Sequence, residues 1–258
     1  MELGYTFSGL VVGFIVGLSG VGAGALMTPL LILFFGIPPS VAVGTDLLYA
    51  AVTKSAGVWV HWRHGSVNWT VVRRLATGSV PAALLTTLAV HALGVDSERF
   101  SAVVTTALGC MVVLTALSLI FKGRLRFLRF GGASPAQWTE RKTANATVLT
   151  GAVLGVLVTL TSVGAGALGM VALLALYSRL SPVMLVGSDI AHAVPLTFIA
   201  GLGHAALGTV DYAMLLSLLA GSLPGIYLGS HAASRVPELA MRYVLATVLL
   251  LAGGKLIL

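Results

Sequence analysis

Apolar runs of roughly 20 residues, the length that crosses the hydrocarbon core of a bilayer, begin near Phe7, Val41, Val71, Ser101, Thr147, Val183, Tyr212 and Leu239. A chain patterned this way has little choice of fold. Lipid cannot satisfy backbone N–H and C=O groups, so such segments cross as helices. With 57% hydrophobic and 9% charged residues, 258 residues also leave too little polar surface for a water-soluble domain. The expected fold class is an all-α polytopic membrane protein, with the lipid bilayer as its first partner.

The N-terminus, M-E-L-G-Y-T-F, lacks the positive charges that open a secretory signal, and the apolar run behind it is too long for one. It is expected to remain in the mature protein. Cys110 is the single cysteine, which rules out an intramolecular disulfide or a cysteine-based metal cluster. The six histidines show no metal-site spacing, and no cofactor is expected. The net charge of +7 comes mainly from Lys and Arg between the apolar runs, where cytoplasmic loops collect them, so a nucleic-acid partner is not implied.

The chain repeats itself. S-G-V-G-A-G-A-L at Ser19 to Leu26 returns as T-S-V-G-A-G-A-L at Thr161 to Leu168, and Gly9 to Leu26 matches Gly151 to Leu168 at an offset of 142. One inserted residue then makes the offset 143. That register pairs V-G-T-D (Val43 to Asp46) with V-G-S-D (Val186 to Asp189), His61 with His204, and G-S-V-P (Gly78 to Pro81) with G-S-L-P (Gly221 to Pro224). Self-similarity of this kind sets the domain organisation: a membrane repeat over 1–121, a basic cytoplasmic linker over 122–143, and a second membrane repeat over 144–258. The linker reads as a solvated loop or a short amphipathic surface helix with Leu125 and Leu128 on its apolar side.

The first apolar segment of each repeat allows two topologies. Full crossings would give four spans per half and parallel halves. Re-entrant hairpins would leave three full spans per half and inverted halves. Loop charge favours inversion: Arg63, Arg73 and Arg74 then share a side with the linker, Arg179, Arg235 and Arg242, while Asp211 faces the other. Inverted repeats are common in secondary transporters.

Arms of about 14 residues on either side of each glycine break reach roughly 20 Å, short of a full crossing. Irregular backbone at that depth must face protein or a water-filled cavity. A helix resuming near Gly24 or Gly166 offers unpaired N–H groups and a positive dipole end to an anion. The candidate substrate-binding residues are therefore Ser19, Gly20, Val21, Gly22, Ala23 and Gly24, with Thr161, Ser162, Val163, Gly164, Ala165 and Gly166. The competing reading is that these glycines only let helices pack closely, as small-xxx-small motifs do.

The segment G-L-S-G-V-G-A-G-A-L-M-T-P-L-L, followed by G-I-P-P-S-V-A-V-G-T-D, with the duplicated glycine segment and V-G-S-D, resembles the TauE/SafE proteins, also called the sulfite exporter or TSUP family. The resemblance covers nearly the whole chain, although Ala23 interrupts the run of glycines common in that family. It implies a multi-pass transporter in the cytoplasmic (inner) membrane of a bacterium or archaeon, exporting small sulfur-containing or carboxylated anions such as sulfite or sulfoacetate.

Within the runs, Lys54 is the plainest intramembrane cation; it either attracts the anion, with its counterpart Thr197 donating a hydrogen bond, or snorkels to the interface. Asp46 and Asp189 either couple transport to a proton or cation or, with Thr45 and Ser188, cap helices. His192 follows in the same stretch as a third coupling candidate, whereas His61 and His204 read as structural contacts. Ser79-Pro81 and Ser222-Pro224 read as kink or packing elements outside the site. No enzymatic activity is expected. The rival readings are a passive anion channel and an intramembrane serine protease, with G-L-S-G at Gly17 to Gly20 supplying a nucleophile and His192 or His204 a base. A second copy of the chain is a candidate partner, as a homodimer.

Overall fold

A computed structural model of the protein describes residues 3–19, 24–93, 98–130, 139–232 and 237–257. Ten helices run through them: α1 Leu3–Ser19, α2 Gly24–Phe35, α3 Pro39–Arg63, α4 Trp69–Leu93, α5 Glu98–Phe130, α6 Glu140–Thr161, α7 Ala167–Leu176, α8 Pro182–Ala206, α9 Tyr212–Ala232 and α10 Glu238–Ile257. There is no strand among the described residues. Helices α4, α5, α6, α8, α9 and α10 are long and apolar enough to cross a membrane. Helix α3 is as long as α4, but Asp46 and Lys54 interrupt its apolar character. The boundary expected at residue 121 falls inside α5, whose helix carries on through the basic residues to Phe130.

The broken segments fold back as hairpins. Tyr5 near the start of α1 stacks on Phe35 at the end of α2, with ring centroids 4.8 Å apart. At the matching place in the second half, Thr147 of α6 hydrogen-bonds the Tyr177 hydroxyl, just after α7, at 2.8 Å. The arms are less even than expected. Helix α1 has 17 residues and α2 has 12, against 22 in α6 and 10 in α7. Much of the difference is the polar opening of α6, E-R-K-T-A-N, whose Glu140 pairs with Arg74 of α4 at 2.8 Å.

Glycines on packed helix faces fix which helices meet and in which direction. On α1, Gly9, Gly13 and Gly17 lie against Leu218, Ser222 and Ile226 of α9, so the two helices run parallel. On α6, Gly151 and Gly155 lie against Leu75 and Ser79 of α4, again parallel. Each hairpin therefore packs onto the opposite half. Helices α3 and α8, which match each other in the two repeats, run antiparallel: Gly44 faces His204, Gly201 faces Leu48, and Gly57 faces Ile190. Helices α5 and α10 also pair antiparallel, with Gly109 against Leu256 and Gly253 against Val113. Backbones held this close gain dispersion and lose little side-chain entropy, which is how helices associate where lipid supplies no hydrophobic drive.

The helix starts repeat the same chemistry. The Asn68 carboxamide accepts from Thr70 and Val71 N–H at 3.1 and 3.2 Å and caps α4, and Asp211 accepts from Met214 N–H at 2.9 Å and caps α9. The backbone N–H of each cap is held across the molecule, Asn68 by Ser188 Oγ at 2.8 Å and Asp211 by Thr45 Oγ1 at 3.0 Å. Thr45 and Ser188 thus hold the start of a helix in the other half, not of their own. Replacing Asn68 or Asp211 with alanine is expected to cost about 1 kcal/mol, read as a drop of about 2–4 °C in the thermal unfolding midpoint.

Candidate functional site

The site is built around the tip of the second hairpin, where α6 ends and α7 begins. Ser162 takes a left-handed conformation with φ 57°, and Gly164 and Gly166 take φ 122° and 128°. Glycine adopts the last two values without the penalty a Cβ would bring. Thr161 shapes the turn. Its hydroxyl donates to the Leu157 carbonyl at 2.6 Å and accepts from Val163 N–H at 3.2 Å. Helix α7 then starts after Gly166 with no side-chain cap; Gly169 N–H turns back to the Gly164 carbonyl at 3.2 Å, which leaves the N–H groups of Ala167 and Leu168 for another partner.

Charged side chains converge on this tip from α3 and α8. Lys54 does not snorkel: its Nζ donates to the Ala165 carbonyl oxygen at 3.1 Å. Asp46 lies fully buried, and Thr28 of α2 donates to its Oδ2. The unpartnered Ser162 hydroxyl stands beside the same carboxyl group, whose Oδ1 also has no partner. Asp189 is buried with its Oδ1 unpartnered, directly under Gly169 of α7, where a Cβ would collide with that oxygen. The Lys54 charge acts on both aspartates, yet no ion pair within 4 Å joins it to either. Asp46 and Asp189 sit seven residues past Pro39 and Pro182, well inside α3 and α8. They are therefore not helix caps. That role at α8 belongs to Ser181, which accepts from Met184 N–H at 3.3 Å.

A pair of matched contacts flanks the charged cluster. His192 Nε2 shares a hydrogen bond with Ser79 Oγ of α4 at 2.8 Å, while its Nδ1 is unpartnered. The corresponding pair is Tyr49 and Ser222 of α9, whose hydroxyls lie near each other without an aligned hydrogen bond. Thr197, expected to donate to the substrate, donates instead to the Ala193 carbonyl of its own helix at 2.9 Å. His61 and His204 have matched structural roles, with Nδ1 against Ser66 Oγ at 2.8 Å and against Thr209 Oγ1 at 2.9 Å. His204 Nε2 also meets the Thr159 carbonyl at 3.0 Å, so both of the histidines considered as protease bases are engaged elsewhere.

The structure thus gathers Lys54, Asp46, Asp189, Ser162 and Ala165 into one place, with His192 alongside. Gly20, Val21, Gly22 and Ala23, and the Ser19 side chain, lie outside the described residues, and Gly24 opens α2. Thr28, Tyr49, Ser79 and Ser222 were not expected in the site. The internal register pairs Tyr49 with His192 and Ser79 with Ser222, and it is the signal that would have found those three; Thr28, matched to Met170 or Val171, carries no such signal.

A helical bundle long and apolar enough for multiple crossings, with broken hairpins and ionisable groups buried at the tip of the second, has the features of a membrane transporter. Residues 5–256 match the family model described as Sulfite exporter TauE/SafE, and the chain belongs to that family. It is 41% identical over 262 residues to the "Probable membrane transporter protein YjnA" of Bacillus subtilis, covering all of both chains. It is 25% identical to the "Probable membrane transporter protein YdhB" of the same organism, covering 94% of this chain and 95% of that one. A "Probable membrane transporter protein" of Xylella fastidiosa strain Temecula1 is 27% identical, over 89% of this chain and 84% of its own. No solved structure matches.

Proposed function

We propose that the protein is a secondary transporter of small sulfur-containing or carboxylated anions, such as sulfite or sulfoacetate, exporting them across the cytoplasmic membrane when they build up inside. The observation that carries this reading is Lys54, a cation brought to the uncapped start of α7 and tied there to the Ala165 carbonyl. Ammonium and helix N-terminus together favour an anion at the tip. The two halves are inverted repeats in this account, which the antiparallel pairing of α3 with α8 and of α5 with α10 supports. Arg63, Arg74, Arg179 and Arg242 then lie on the cytoplasmic face, and Asp211 on the other. Rocking or sliding of one part against the other would expose the tips to each side in turn.

A flux screen in proteoliposomes with sulfite, sulfate, thiosulfate, sulfoacetate and simple carboxylates tests the reading. Saturable flux of at least one of these anions is expected. Failure of every anion, with a cation or neutral solute carried instead, would refute it.

A further inference from the structure

We infer that Asp46 carries a proton that travels with the anion, while Asp189 is the fixed counter-charge of Lys54. The inference rests on the anion-transport reading above.

Two buried carboxylates share one ammonium here. Asp46 is 0% exposed and Asp189 2%, and each has an oxygen without a partner. A buried ion left uncompensated costs several kcal/mol even after relaxation, and the single charge of Lys54 can balance only one of the two. Lys54 is an electrostatic neighbour of both carboxylates. Adding a substrate anion while both carboxylates are ionised would place three negative charges around one positive.

The surroundings of Asp46 can serve it in either protonation state, because its neighbours are hydroxyls, which both donate and accept. Its Oδ2 accepts from Thr28, and its Oδ1 and the Ser162 hydroxyl, both unpartnered, are neighbours. Ser162 Oγ can donate to an ionised Oδ1 or accept from a protonated one, so both atoms are satisfied whether or not the proton is present. Among the described residues, Asp189 has no such hydroxyl beside it; its electrostatic neighbour is Lys54. The charged and titratable groups that bear on Asp46 are Lys54 and Tyr49 of its own helix. Helix α2 and the α6–α7 turn bring it hydroxyls, α9 brings Ser222 to Tyr49, and the charged group of α8, Asp189, faces the shared Lys54. The proton would be taken from water on the side of entry and returned to water, with the anion, on the side of exit.

Titration calorimetry of the purified full chain with sulfoacetate, in buffers of differing ionisation enthalpy, counts the protons bound with each anion. Sulfoacetate is chosen because both of its acid groups are fully ionised near neutral pH. Uptake of about one proton per anion is expected for the wild type, and none for Asp46→Asn. Anion binding without proton uptake in the wild type, or undiminished uptake in Asp46→Asn, would overturn the inference. If Asp46→Asn does not bind, Asp46→Glu decides: it keeps the titrating carboxyl, and anion binding without proton uptake there contradicts the assignment. Absence of sulfoacetate and sulfite binding in the wild type would instead strike at the transport reading itself.

Discussion

Replacing Lys54 with methionine is expected to lower anion flux by about 100- to 4,000-fold. Methionine keeps most of the unbranched stem and its packing, but removes the charge that Asp46 and Asp189 share and the hydrogen bond to the Ala165 carbonyl. Leaving a buried charge without its partner costs about 3–5 kcal/mol. At about 1.4 kcal/mol per tenfold, a penalty of that size on the anion-bound state gives the stated loss. Lys54→Arg keeps the charge but exchanges a compact ammonium for a wide planar fork, so intermediate flux is expected. Initial rates in proteoliposomes, normalised to monodisperse protein, provide the comparison. Wild-type flux in Lys54→Met would remove Lys54 from the site.

The largest structural effect is expected at the matched glycines Gly78 and Gly221. A Cβ on Gly78 would run into the Val148 carbonyl oxygen of α6, and a Cβ on Gly221 into the Thr6 carbonyl oxygen of α1. Both obstacles are backbone, which cannot rotate away as a side chain can. Overpacking costs about 1–3 kcal/mol and sometimes more, and a clash against the full length of a parallel helix pair belongs at the top of that range. Gly78→Val and Gly221→Val should therefore both lose most monodisperse protein on size exclusion, and to a similar degree. Gly254→Ala, where a Cβ meets nothing within 4 Å, should behave as wild type. A stable Gly78→Val protein would contradict the close α4–α6 packing.

These glycines also explain why so much of the fold could be read from the chain. Where two backbones touch, only glycine fits, so a duplicated packing scheme leaves a duplicated glycine pattern that the constant offset exposes. Charges mark element ends as well: Arg63 closes α3 and Asp211 caps α9. The interior of the site was harder. Lys54 could be placed in a span, but whether its flexible stem reached the interface or the Ala165 carbonyl depends on how α3 crosses the second hairpin. Asp46 and Asp189 could pass for caps because prolines precede them; only the helix starts at Pro39 and Pro182 put them inside. Ser79 and Ser222 were hidden in glycine-proline motifs that do pack helices, and their contacts with His192 and Tyr49 arise only when α4 meets α8 and α9 meets α3.

The central claim is that the two halves are inverted, so that the hairpins enter from opposite faces and present their tips to one shared site. Trp69 and Tyr212 occupy matching positions at the starts of α4 and α9, and both are exposed. Single cysteines at these two positions, in a Cys110→Ser background, can be probed in intact cells and in inside-out vesicles with a membrane-impermeant maleimide. The inverted arrangement predicts labelling of Trp69→Cys only in inside-out vesicles and of Tyr212→Cys only in intact cells. Labelling of both from the same side would contradict it.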